Sequence, residues 1–198
     1  MKTYYDRRAP EYDDWWLGTG LFASRERPGW REDVAALRAA LERLEPARTL
    51  DVGCGTGFLT AHLRGDVTGL DQSEGMLEVA RERLPGVRFV AGDGLAPPFE
   101  DGAFARVHAG HFYGHLDAAQ RARFLAAARR LAGELVVTDS ALRPDEGPEA
   151  WQERVLSDGS RHRVYKRWFS AEGLADELGG GEVLHAGPWF VVVRRRFA

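Results

Sequence analysis

The chain has 198 residues, a formal net charge of −3 and a single cysteine, Cys54. That length suits one domain able to bury roughly 70 % of its unfolded surface. One cysteine excludes an internal disulfide, in keeping with a reducing, cytoplasmic setting. Acidic and basic residues are mixed throughout, so nothing general points to nucleic acid or an anionic membrane as partner. The stretch from Met1 to Asp6 lacks the apolar core of a signal peptide, and apolar runs such as Trp189 to Val193 are too short to span a bilayer.

Tyr4 to Trp30 is turn-rich and aromatic, with Tyr4, Tyr5, Tyr12, Trp15 and Trp16 around Asp13 and Asp14. One or two short helices are expected there. Residues 31–44 repeat apolar positions (Val34, Leu37, Leu41, Leu44) at helical spacing until Pro46, so 1–46 reads as a helical N-terminal segment. Strand and helix then alternate. Strands are predicted at 48–52, 67–70, 87–91, 104–109 and 134–139, and helices at 57–64, 74–84 and 117–131. Such alternation argues for a parallel sheet with helices on both faces.

Residues 140–169 read as a polar, irregular insert with a short helix around Trp151 to Val155. A helix at 170–178 follows, opened by Ser170 and closed by Gly179, Gly180 and Gly181. Glu182 to Ala186 and Trp189 to Arg194, separated by Gly187-Pro188, read as an antiparallel hairpin. The expected fold is α/β: a Rossmann-like three-layer sandwich with a seven-stranded, mostly parallel sheet ending in that hairpin. One domain over 1–198 contains all of it, without repeats or linkers.

The densest signal is Leu50-Asp51-Val52-Gly53-Cys54-Gly55-Thr56-Gly57-Phe58. It reads as a buried strand ending beside an acid, then three glycines at alternate positions. Glycine serves where backbone must pass close to a ligand, because a Cβ would occupy the ligand's volume or forbid the dihedrals. A strand-to-helix turn of this kind is the floor of a nucleotide-type pocket. A dinucleotide fingerprint needs a glycine at 58, where this chain has Phe58. That argues against a nicotinamide oxidoreductase.

The D-V-G-C-G-T-G run resembles motif I of the class I S-adenosylmethionine-dependent methyltransferases. The resemblance is strong over 48–139 and looser in the tyrosine-rich segment and the terminal hairpin. It implies a pocket for S-adenosylmethionine, with S-adenosylhomocysteine as product. Asp51, Gly53, Cys54, Gly55 and Gly57 would cradle the methionine half. Asp71, about 20 residues on, would accept the ribose hydroxyls with Gln72 beside it, and Met76 would lie on the adenine face. Asp93, between Gly92 and Gly94, would take the adenine amino group. The carbonyls after His108 and Ala109 would hold the cofactor's ammonium, with Tyr12 closing the pocket. One departure is Phe104-Ala105, where relatives carry Phe-Asp at a scaffold position.

Methyl transfer is in-line displacement at a carbon already activated by sulfonium, so the protein's main task is alignment. A base is needed only if the acceptor arrives protonated. The candidates after the fourth strand are His108, His111, Tyr113 and His115. Strand ends face the ligand crevice, which favours His111 and Tyr113 as catalytic groups and leaves His115 as structural. No metal is expected, because this histidine run crosses from strand into a glycine-containing loop. His62 and His185 are isolated and read as unremarkable. The run Arg161 to Trp168, with His162 in it, reads as a solvated basic face or, alternatively, as a clasp for an acidic or aromatic acceptor or an RNA backbone. Ala96-Pro97-Pro98-Phe99 superficially matches the [DN]-P-P-[YF] signature of amino-methylating enzymes, but it follows the wrong strand and lacks the leading Asp or Asn, so it reads as a loop.

The expected function is methyl transfer to a small molecule by a monomer or homodimer, with the insert at 140–169 contributing to the acceptor pocket. The alternatives are a non-catalytic S-adenosylmethionine-binding protein and a methyltransferase acting on RNA or protein.

Overall fold

The computed structural model describes residues 2–144 and 146–197. Nine strands occur among them. The first five are β1 (Thr49–Val52), β2 (Val67–Asp71), β3 (Arg88–Ala91), β4 (Arg106–Gly110) and β5 (Glu134–Ser140). They are followed by β6 (Glu149–Val155), β7 (Arg161–Arg167), β8 (Glu182–Ala186) and β9 (Phe190–Arg196). Seven form one sheet in the order β3-β2-β1-β4-β5-β9-β8, parallel except for β9, which runs antiparallel to both its neighbours. β6 and β7 form a separate antiparallel hairpin.

β1, β2, β4 and β5 are almost wholly buried, as strands covered on both faces must be. One face carries Val52, Leu70, Val107, Leu135 and Val137 against α5 (Ala118–Leu131) and α6 (Ala171–Glu177), through Phe124, Leu131 and Leu174. The other packs Val67, Val136 and Val192 against α3 (Trp30–Glu42), through Val34, Leu37 and Leu41. Asp33 of α3 is buried and accepts from His185 Nε2 (2.6 Å), Trp189 N (2.8 Å) and Phe190 N (3.1 Å). His185 is therefore part of the tie between α3 and the terminal hairpin.

The helices begin where the sequence offers caps. Ser73 accepts from Met76 N at the start of α4 (Glu74–Arg83), and Asp117 with Gln120 closes a reciprocal capping box on α5. The helix expected at 57–64 reduces to one 3₁₀ turn, Thr60–His62. No side chain caps it, and the stretch is too short to repay helix nucleation before β2 begins. Upstream lie α1 (Lys2–Arg8) and α2 (Asp14–Leu17), short helices linked by turns.

The expectation for 140–169 needs the larger correction. Trp151 to Val155 is strand, not helix. Gln152 and Arg154 alternate with Trp151 and Glu153, and across the hairpin Val164 and Lys166 alternate with Arg163 and Tyr165. This period of two suits a ribbon with two different faces. Gly159, at φ +80°, supplies the turn.

Candidate functional site: two cavities meeting at His111

The strand order reverses between β1 and β4, and a doubly wound sheet opens a crevice beyond the strand tips at such a point. Behind the crevice a polar line crosses the sheet. Asp51 accepts from Thr60 Oγ1 (2.6 Å) and from His108 Nδ1 (2.8 Å), leaving His108 Nε2 to accept from Thr138 Oγ1 (3.1 Å). All three residues on β1, β4 and β5 are essentially inaccessible. They pin the strand ends and the turn after β1, and neither Asp51 nor His108 lines the crevice.

In front of that line lies a cavity of about 800 Å³. Gly53, Gly55, Asp71, Gln72 and Met76 line it, as do Gly92, Asp93, Gly94 and Tyr12. The glycines are demanded by geometry at two points. A Cβ on Gly53 would lie 2.7 Å from the Phe112 ring, and one on Gly94 would meet Phe112 and Val52 at the same distance. Gly53 also sits at φ +68°. Asp71 accepts from Gly55 N (3.0 Å) and Ser73 N (2.9 Å), joining the glycine turn to the start of α4. Burial raises the pKa of this carboxyl, against the pull of those backbone donors. Asp93 accepts from Leu95 N (2.9 Å). The N-terminal segment is tied down over this floor: Asp6 accepts from Ser73 Oγ (2.7 Å), and Asp13 from Thr56 Oγ1 (2.7 Å).

Four other predicted residues do not present a side chain to either cavity. The Cys54 side chain is buried against Gly69, and burial pushes its thiol pKa well up, so the thiol is no nucleophile. Gly57, at φ +74°, turns the chain against Ala80 and Leu84. Ala109 is fully buried. Tyr113 is the clearest correction. Its side chain is inaccessible in the core, its hydroxyl donates to Glu177 of α6 (3.0 Å), and it lines neither cavity. Burial and Glu177 raise its pKa, so it is no base for a substrate.

His111 stands apart. It is the one described non-glycine residue at positive φ (+52°), a strained conformation of the kind that concentrates at functional sites. Its ring meets Trp15, Trp16 and Phe190 edge-on. Nδ1 lies 3.4 Å from Ser140 Oγ and 3.8 Å from Asp139 Oδ1, while Nε2 is buried without a partner. Burial lowers its pKa to about 3, outweighing the nearby Asp139. Asp139 in turn is ion-paired with Lys166 and accepts from Gly114 N (2.7 Å) and Ser140 N (2.8 Å). His115 is held through Nδ1 by Tyr165 O (2.7 Å), and burial pushes its pKa well down too.

Tyr5, Tyr12, His111 and His115 also line a second cavity of about 930 Å³. The β6–β7 hairpin serves both: Gln152, Arg154 and Lys166 face the second, while Trp151, Arg163 and Tyr165 face the first. Trp15, Trp30 and Trp189 supply further wall. The sequence reading places the aromatic N-terminal segment and the 140–169 insert at the acceptor pocket, but it does not single out Tyr5, Phe112 or the individual hairpin residues, whose facing depends on the pairing of β6 with β7. The described residues hold no His, Cys, Asp or Glu cluster suited to a metal, and none of their helices is long and apolar enough to cross a membrane.

A parallel sheet closed by antiparallel β9, a glycine turn after β1 and an acid at the tip of β2 define the class. The chain belongs to the class I S-adenosylmethionine-dependent methyltransferases. Residues 49–133 match the family model described as a methyltransferase domain, Methyltransf_25. Demethylmenaquinone methyltransferase of Thermotoga maritima is 31 % identical over 143 residues, covering 68 % of this chain and 59 % of that protein. The protein of the same name from Renibacterium salmoninarum is 36 % identical over 106 residues, covering 52 % and 42 %. The chain thus spans about half the length of the curated relatives it matches. Among solved structures, the DhpI–SAM–HEP complex is 25 % identical with a TM-score of 0.72, over 98 % of this chain and 94 % of that one. PH0226 from Pyrococcus horikoshii shares the fold at 19 % identity and a TM-score of 0.70, over the full length of both.

Proposed function

We propose that the protein transfers a methyl group from S-adenosylmethionine in the glycine-floored cavity to a small molecule in the cavity beside it. The observation that carries this reading is the junction: the two cavities share Tyr5, Tyr12, His111 and His115 and little else. The first fits the cofactor, since its floor is glycine backbone with no room for a Cβ at Gly53, Gly92 or Gly94, and an acid stands at the tip of β2. When bound, the cofactor supplies an electrophilic methyl and leaves as S-adenosylhomocysteine. Asp71 would accept from the ribose, Met76 and Gln72 would flank the base, and Asp93 would accept from the adenine amino group.

His111 positions the acceptor. Its ring borders both cavities, and three aromatic neighbours hold it in place. An imidazole with a pKa near 3 is a poor proton acceptor, so alignment rather than base catalysis is its contribution.

The names of the curated relatives suggest demethylmenaquinone as acceptor. The walls of the second cavity count against it, because Arg8, Arg27, Arg154 and Lys166 line a space that a quinone would want apolar. The same reading includes a cytoplasmic location, a single domain and no nucleic-acid partner. It is supported by the lone buried Cys54 and the charge of −3.

Calorimetry with S-adenosylhomocysteine and with NADH is the test of the cofactor. The first should bind at micromolar affinity and the second not detectably; the reverse order sinks the proposal. Asp71→Asn should weaken S-adenosylhomocysteine about 100-fold, since it removes charged acceptors from the ribose and from Gly55. Release of S-adenosylhomocysteine during a screen of small acceptors then reads turnover.

A further inference from the structure

The second cavity has an uneven charge balance. Arg8, Arg25, Arg27, Arg143, Arg154 and Lys166 face it, against Glu11, Glu26, Glu146 and Glu153. Most of those carboxylates are already engaged. Glu146 pairs with Arg143 (2.8 Å), and Glu153 with Arg161 outside the cavity (2.6 Å). Both oxygens of Glu11 accept from Ser157 N (3.2 and 3.0 Å). Lys166 is neutralised by Asp139.

The cations are another matter. Arg8 is only 5 % exposed, yet its partners are the Tyr4 hydroxyl and the faces of Tyr4 and Tyr12, at 5.6 and 4.9 Å from the ring centroids. Arg154 donates to Gln152 Oε1 (3.0 Å) and has no carboxylate partner among the described residues. Arg27 donates to the Trp15 carbonyl and lies over Trp30. A buried guanidinium without an anion is costly, and its planar fork suits two oxygens of one anionic group.

The position of these charges is specific. Arg154 acts electrostatically on Tyr5, Tyr12, His111 and His115, the four residues at the junction. Arg8 lies over the Tyr12 ring and acts on Tyr5 and Tyr12 as well. Both line the second cavity, which shares those four residues with the first.

Resting on the methyltransferase reading, we infer that the acceptor is a small organic anion whose carboxylate or phospho group docks between Arg8 and Arg154. The aromatic walls, Tyr12, Trp15 and Trp30, would hold its uncharged part. Two buried histidines that stay neutral agree with an acceptor needing no proton removed. Charge on the ligand would also make capture salt-sensitive.

Benzoate, phenylphosphonate and benzamide share a ring and differ in the group it carries, so they separate the alternatives. Each is titrated calorimetrically into the protein with and without saturating S-adenosylhomocysteine. At least one of the two anions should bind saturably and about tenfold or more tightly than benzamide, weakening as salt rises. The tighter of the two tells whether carboxylate or phospho chemistry is meant. Arg154→Gln should weaken the favoured anion about tenfold and leave S-adenosylhomocysteine affinity unchanged. Arg8→Lys keeps a charge and a similar stem, and should weaken it less. Benzamide binding as tightly as the anions, binding of none of the three, or full anion affinity in Arg154→Gln each overturn the inference. Failure of S-adenosylhomocysteine to bind instead sinks the cofactor assignment, and the anion titration without it is scored separately.

Discussion

The two cavities that meet at His111 are built from different parts of the polypeptide. The first is floored by backbone at strand tips, with Asp71, Met76 and Asp93 beside that floor and Trp151, Arg163 and Tyr165 of the hairpin along its other side. The second is walled by long side chains from the N-terminal helices, the β6–β7 hairpin and the segment after β5. A backbone floor is stiff and admits one kind of ligand outline, because its glycines leave no side chain to vary. A side-chain wall sets its chemistry residue by residue. The fold thus sets a cavity with a glycine floor beside one whose chemistry is set by its side chains.

If this contrast is right, the backbone floor should tolerate change least. Gly53→Val puts a branched side chain into Phe112 at a left-handed φ, and should reduce S-adenosylhomocysteine affinity by 100-fold or more, as calorimetry would show. Next in size is Asp33→Ala, which removes three hydrogen bonds behind the second cavity. It should lower unfolding free energy by about 3 kcal/mol in urea while donor affinity in the folded protein stays the same. A parallel loss of donor affinity would mean the two regions are not separable.

The junction makes a pH prediction. Burial, with Lys166, Arg154 and His108, holds His111 near pKa 3 despite Asp139, against 6.5 in the unfolded chain. Between about pH 6.5 and pH 3 the unfolded state therefore binds a proton that the folded state does not, and stability falls as pH falls. This residue's share approaches about 1.4 kcal/mol per pH unit. His111→Asn should flatten that limb in denaturation curves at pH 5 and pH 7, without abolishing it, because His115 is buried in the same sense. An unchanged slope would place His111 outside the buried junction. The smallest effect is expected of Asp6→Asn, which loosens the N-terminal segment over α4. Donor affinity should drop only a few-fold, about 0.5–1 kcal/mol.

Local rules made the central sheet and the first cavity readable in advance. Buried parallel strands show as continuous apolar runs, and a glycine turn with an acid one strand later is a contiguous, evenly spaced signal. Where reading failed, long-range contacts decided. Trp151 to Val155 carries an alternating pattern too polar at most positions to announce a strand, and only its pairing with Arg161 to Arg167 makes it one. Tyr113, two residues from His111, was equally plausible as a site residue. A 3₁₀ turn instead sends it into the core toward Glu177.

The sequence by itself determined the class of the protein and the glycine floor of the first cavity, because backbone geometry at strand ends depends on neighbours a few residues away. Only the tertiary structure decided which histidine faces the junction, which carboxylates are already satisfied and which arginines are left to meet a ligand. Those properties depend on burial and on partners brought from distant parts of the chain. Arg8 and Arg154 lie 146 positions apart in sequence and converge on Tyr12 only after folding.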